Sequence, residues 1–149
     1  MTLLKTRFYD GGFQFSPPDG RLVVFASDES GQMEVYVALA SDPGAKTPVS
    51  TPGGGTQPLW ARSGRELFYR RGDQMRVVSV SAQGGTVKLS DDHLLFQRRY
   101  AFSSALTAPN YDVDLNDQRL LMVKEESESG RLSVVLNWSE ELKRLVPTN

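Results

Sequence analysis

The apolar positions of the chain fall into short runs separated by turn residues. "FQFS" leads through Pro17-Pro18-Asp19-Gly20-Arg21 into "LVVFAS", and a polar stretch, "DESGQ", leads on to "MEVYVALA". Short runs rich in Val, Phe, Tyr and Leu, bounded by Gly, Pro, Asp and Ser, predict antiparallel strands joined by hairpins. The same order returns twice. The turns Asp19-Gly20-Arg21, Ser63-Gly64-Arg65 and Asp117-Gln118-Arg119 each precede an apolar strand: "LVVFAS", "ELFYRR" and "LLMVKE". Each turn follows a short strand ("FQFS", "PLWA", "YDVDL"), and after a polar loop comes a third strand ("MEVYVALA", "MRVVSVSA", "LSVVLNW"). Residues 20, 64 and 118 are 44 and 54 positions apart, near the roughly 40–45 of a four-stranded propeller blade. The longer interval predicts an insertion, which the spacing places in "SDDHLLFQRRYAFSSALTAPN".

The second strands, such as "RLVVFAS", are apolar almost continuously rather than at alternate positions. That is the pattern of a strand covered on both faces, as happens when sheets stack side by side. In this arrangement Phe15, Phe25, Tyr36, Trp60, Phe68, Tyr69 and Trp138 are expected to fill the wedges between sheets, each contributing about 1.5–3 kcal/mol on burial. Glycines supply positive φ at the turns, and Pro17-Pro18 stands where a missing backbone donor costs little.

The stretch "FSPPDGRLVVFASDESGQMEVYV", with "WARSGRELFYR" and "YDVDLNDQRLLMV", resembles the TolB-like, WD-repeat-like β-propeller family, whose blade motif is Phe/Trp-Ser-Pro-Asp-Gly-Arg before an aromatic-rich strand. The motif departs from the family pattern along the chain: an extra proline in the first copy, Ala61-Arg62-Ser63 in the second, Gln118 for glycine in the third. The closing "VVLNWSEELKRLVPTN" resembles the end of propeller regions that follow serine/threonine kinase domains in related bacterial proteins. No kinase motif is present in this chain. The resemblance implies an all-β propeller of four-stranded antiparallel blades and a scaffold for protein–protein or peptide binding, as a sensory or docking module of a larger signalling protein. Family members are often periplasmic or attached to membrane kinases.

With 149 residues the chain is the size of one domain, divided as blades over residues 11–51, 52–98 and 99–146. The first blade is expected to end with an outer strand at "KTPVS" and the second with one in "VKLSDDHLLFQ". The third lacks one. After "LSVVLNW", the segment "SEELKRLVP" reads as a short C-terminal helix, with Asn137 and Glu140 as a capping pair and Pro147 as a stop. Conversely, residues 2–8, "TLLKTRF", read as an outer strand without a blade. Three blades are fewer than the four to eight of closed propellers, so a homodimer of two half-propellers, six blades in all, is expected. Its closure surface comprises Leu3, Leu4 and Phe8 against Val134 and Leu136, which would hide open sheet edges. A fragment whose only function is such self-assembly is a further alternative.

A formal net charge of −1, with 23% charged and 39% hydrophobic residues, points neither to a disordered chain nor to a nucleic-acid-coating surface. The chain has no cysteine, which removes thiolate catalysis and Cys-ligated metals and leaves the compartment open. No apolar run is long enough to cross a bilayer, and the N-terminus carries no signal-peptide pattern. Candidate chemistry is sparse. His93, beside Asp91 and Asp92, reads as a loop or edge-strand residue. Asp19, Asp28, Asp112, Asp114 and Asp117 recur at turns, where Asp accepts backbone hydrogen bonds; Asp112 and Asp114 share one strand face and form the one modest metal hint. Gly53 to Gly55 lacks the Lys-Ser/Thr of a phosphate loop and reads as a link between blades. No Gly-x-Ser-x-Gly elbow occurs. The acidic tip at 125–129 and the basic "YRRG" and "QRRY" read as solvated charges, and Asn137-Trp138-Ser139 as a coincidental sequon. The expectation is therefore no catalytic, metal or cofactor site. The competing class is a propeller hydrolase or lyase using Asp112, Asp114 and His93 around a metal.

Overall fold

The computed structural model describes residues 6–90, 92–102, 107–124 and 131–135, the last of these as backbone. Among the described residues there are twelve strands: β1 (Asp10–Phe15), β2 (Leu22–Ser27), β3 (Glu34–Leu39), β4 (Asp42–Pro48), β5 (Thr56–Trp60), β6 (Glu66–Arg71), β7 (Gln74–Gln83), β8 (Thr86–Leu89), β9 (His93–Gln97), β10 (Tyr111–Val113), β11 (Leu120–Lys124) and β12 (Arg131–Val135). They form three antiparallel meanders, β1-β2-β3-β4, β5-β6-β7 with β8 and β9, and β10-β11-β12. Among the described residues there is no helix. The sequon and the segment read as a C-terminal helix lie outside them.

The three sheets stack face to face like propeller blades. One apolar cluster joins Leu22, Val24, Val35 and Val37 of the first sheet to Trp60, Leu67, Tyr69 and Val78 of the second. The other joins Phe68, Met75 and Val77 of the second to Tyr111, Val113, Leu120 and Met122 of the third. Because successive side chains of a strand point to opposite faces, Leu67 and Tyr69 serve one wedge and Phe68 the other. The face turned toward the preceding sheet is here termed leading, its opposite trailing. Continuous apolarity thus has its physical reason in β6, whose Leu67, Phe68 and Tyr69 are all buried between two sheets; all six residues of β2 are buried as well. Of the aromatic residues expected between blades, Phe25, Tyr36, Trp60, Phe68 and Tyr69 are buried. Phe15 is not, and Trp138 lies outside the described residues.

Three features differ from the sequence reading. First, the stretch read as holding one outer strand of the second blade holds two: β9, the outer strand, pairs with residues 74–77 of β7, and β8 pairs with residues 80–83. β7 runs past the end of β6 and folds back through Gly84-Gly85 as a two-stranded ribbon. The extra length is therefore divided between this ribbon and the linker after β9. Second, the left-handed turn position of the third blade is Asp117 (φ 56°) rather than Gln118; it matches Gly20 (φ 66°) and Gly64 (φ 68°). Asp is among the few residues that enter this region at modest cost. Third, Thr6, Arg7 and Phe8, the described part of the segment read as an outer closing strand, form a bend leading into β1. Leu3, Leu4 and Leu136 of that closure surface lie outside the described residues. Phe8 is exposed just ahead of β1, and Val134 lies on β12 opposite Leu121.

Consecutive arginines on β6 lock the stack. Arg71 donates to the carbonyls of Ser50 (2.8 Å) and Gly54 (3.1 Å) in the link before the middle blade. Arg70, on the other face, donates to the carbonyls of Ala101 (2.7 Å) and Tyr100 (3.3 Å) in the link after it. The "YRRG" motif is thus structural rather than a solvated charge pair, and Arg70 is buried. The Gly53 to Gly55 run lies in the first of these links.

Candidate binding surface

The aspartates do the work of turns. Asp19 accepts from the Arg21 amide and Asp28 from the Tyr9 amide. Asp117 accepts from the Arg62 (2.6 Å) and Ser63 (3.0 Å) amides, tying the turn of the third blade to that of the second. Asp114 accepts from the Gln118 and Arg119 amides and the Arg119 side chain (2.8 Å). The Arg119 hydrogen bond leads the causes that hold its carboxyl below the usual carboxylate range. Asp112 is bidentate to Arg62 (2.9 and 3.2 Å).

Asp112 and Asp114 line one hollow of about 200 Å³ together with Arg119 and Leu121. Each is occupied by an arginine, and the hollow does not include His93, which sits on β9 paired with Val77. The three residues of the enzymatic alternative are therefore not brought together. Among the described residues, no group of three His, Asp or Glu side chains is placed to hold a metal ion.

A larger groove, of about 770 Å³, opens where β7 passes the end of β6. Ser79 and Ser81 from β7, Lys88 and Ser90 from the ribbon's return, and Ser63, Arg65 and Glu66 from the β5–β6 turn line it. Burial, helped by the neighbouring Asp117 carboxylate, raises the Glu66 carboxyl above its usual range. Among the described residues neither the Arg65 nor the Lys88 side chain forms an ion pair. Sequence reasoning missed this groove because its residues belong to three separate turns and strand ends. The one available signal was the polar, serine-rich "SVSAQGGTVKLS", whose alternation on the exposed face marks a ribbon rather than a blade strand.

At the inner ends of the first strands the blades approach closely. The Tyr111 hydroxyl donates to the Gln57 carbonyl (2.7 Å), and Trp60 Nε1 to the Gln14 carbonyl (3.2 Å). Gly12, at φ 70°, lies so close to the third blade's approach that a Cβ there would stand 2.4 Å from the Thr107 carbonyl. Burial raises the Tyr111 hydroxyl well above its ordinary range, so it serves as a neutral donor.

No protein-family model and no curated protein sequence matches the chain. Among solved structures, TolB from Acinetobacter baumannii matches with a TM-score of 0.56 and 19% identity, over 84% of this chain and 29% of that one. The chain thus spans less than a third of that protein's length. At this identity the likeness speaks for the fold: the chain folds as TolB-like β-propeller blades.

Proposed function

We propose that the chain is a non-catalytic β-propeller scaffold that binds a protein or peptide segment, serving as a docking module of a larger signalling assembly. The observation that carries this reading is the 770 Å³ groove of the middle blade, lined by serine hydroxyls and by Arg65 and Lys88, which form no ion pair among the described residues. Such a concavity offers several hydroxyls and two cationic side chains against one carboxyl, Glu66, which suits an extended acidic peptide. The TolB-like fold supports a binding role in the general sense that propellers present loops and rims from a rigid frame.

The test is a set of short acidic, neutral and basic fluorescent peptides titrated with the chain and read by anisotropy. Acidic peptides are expected to bind, more weakly as salt rises, and the double charge reversal Arg65→Glu with Lys88→Glu should weaken them about tenfold or more. Peptide binding indifferent to that reversal, or turnover of ester or phosphoester substrates that is lost with Asp112→Asn or His93→Ala, would overturn the reading.

A further inference from the structure

We propose that the acidic peptide is taken up by strand addition: it pairs through its backbone with the open inner edge of β7 beside the groove, in the place β6 would hold if it were longer. The inference rests on the peptide-binding reading and adds to it the recognition mode, and with that the form of the ligand.

The open edge follows from the hydrogen-bond ladder. β6 pairs with β7 from Arg71 opposite Gln74 to Glu66 opposite Ser79. The last rung is the Val80 amide, which donates to the Arg65 carbonyl (2.8 Å). In a continuing antiparallel ladder the Arg65 amide returns a bond to the Val80 carbonyl; here it donates to the Ser63 hydroxyl instead (3.4 Å). β7 nevertheless runs on to Gln83. Its outer edge is filled, since residues 80–83 pair there with Leu89, Lys88, Val87 and Thr86. On the inner edge no strand among the described residues pairs with residues 81–83. Alternate residues of a strand direct their backbone groups to opposite edges. Ser79 directs its amide and carbonyl outward to Ser90 (3.1 and 3.0 Å), so Val80 and Ala82 face inward. A ligand therefore meets one full rung, the Ala82 amide and carbonyl, with the Val80 carbonyl as a further acceptor.

This edge is held in place. Val80, Ala82, Val87 and Leu89 seat the ribbon's apolar face in the cluster shared with the first blade. Gly84 and Gly85, at φ 57° and 74°, close its hairpin in the conformation that two-residue hairpins favour. Open edges are ordinarily blunted by proline, lysine or a bulge. Residues 80–83, "VSAQ", carry neither residue, and their pairing with β8 is regular. Such an edge is a template for a further strand, with affinity from the main chain and specificity from alternate side chains.

The side chains set what that strand carries. Residues directly opposite on neighbouring strands share a face. A ligand residue opposite Ser81 therefore shares the polar face on which Ser81 and Lys88 are paired, and Arg65 stands where β6 stops. A carboxylate suits this place, and apolar residues at alternate positions continue the ribbon's other face. A proline opposite Ala82 is excluded, because that amide has to donate.

The probe is a short fluorescent peptide alternating glutamate and valine, a pattern in which a one-residue slip puts the glutamates on the wrong face. Two versions, N-methylated on one or the other alternate set of amides, keep charge and side chains. Anisotropy titration is expected to show one version weakened about tenfold or more and the other unchanged, because only one set of amides faces β7. Ala82→Pro, which removes an amide that β8 does not use, should weaken the unmethylated peptide similarly. Should that variant fail to fold, hydrogen exchange of the parent followed by NMR replaces it: peptide should protect the Ala82 amide and leave Ser81 and Gln83 as they were. Binding that is lost with the Arg65→Glu and Lys88→Glu reversal but is indifferent to methylation set, to Ala82→Pro and to Ala82 exchange overturns strand addition and leaves the peptide-binding reading standing. Absence of binding by any acidic peptide overturns that reading, and strand addition with it.

Discussion

The middle and third blades are built from the same turn and the same apolar strand, yet their burial differs. In β6, Leu67, Phe68 and Tyr69 are all fully buried, whereas in β11 Leu120 and Met122 are buried and Leu121 between them is not. The strands are equally apolar; what differs is how far their trailing faces are covered. A strand's burial period in a stacked fold is set by which faces are covered, so the sequence pattern reports a blade's capacity for interfaces rather than their occupancy. The middle blade has both interfaces within the chain. It is accordingly where Arg70 and Arg71 hold the links on either side.

The largest expected effect breaks this difference directly. Phe68→Ala should cost about 3–5 kcal/mol in urea unfolding, the range for emptying a filled aromatic site. The equivalent Leu121→Ala should cost under about 1 kcal/mol, because Leu121 is 39% exposed. Equal costs would show that the two trailing faces are equally covered within one chain.

A second contrast concerns the turns. At Gly64 a Cβ would stand 1.7 Å from the Pro17 carbonyl, in addition to the strain of a positive φ, while at Gly20 the nearest atom would be 3.8 Å away. Gly64→Ala should therefore destabilise by about 2 kcal/mol or more, and Gly20→Ala by about 1 kcal/mol, the backbone strain alone. Thermal unfolding followed by circular dichroism separates them. If the two variants melt together, the turn of the middle blade does not pack on that of the first.

The smallest effect is electrostatic. Burial and the nearby Asp117 carboxylate raise the Glu66 carboxyl, so the folded chain favours the protonated acid more than the unfolded chain does. The stability this lends is complete below the unfolded carboxylate value and is lost as pH rises through the folded one. Glu66→Gln should accordingly melt higher than the parent at neutral pH, with the gap closing below about pH 4. A variant that melts lower at neutral pH would mean that the carboxylate is held as an anion, which would also alter the charge of the groove.

Much of the fold was legible locally. Turn chemistry at Asp19-Gly20 and Ser63-Gly64, and the apolar runs after each, mark the strands because left-handed turn residues and strand runs act over a few positions. The candidate groove was not legible, since Ser63, Ser79 and Lys88 meet only after β7 outruns β6. Asp117 taking the glycine's place in the third turn was hidden for a related reason. Its tolerance of positive φ is local, but its bonds to the Arg62 and Ser63 amides bridge two blades.

The sequence by itself determined that the chain forms repeated antiparallel meanders with strands apolar on both faces, because hairpin turns and side-chain alternation depend on neighbours along the chain. Tertiary structure alone decided which of those faces are filled, which strand of the second blade is its outer one, and that Arg70 and Arg71 are clamps rather than surface charges. These depend on contacts between residues far apart in sequence, and the same apolar or cationic side chain is core, clamp or open surface according to what packing places opposite it.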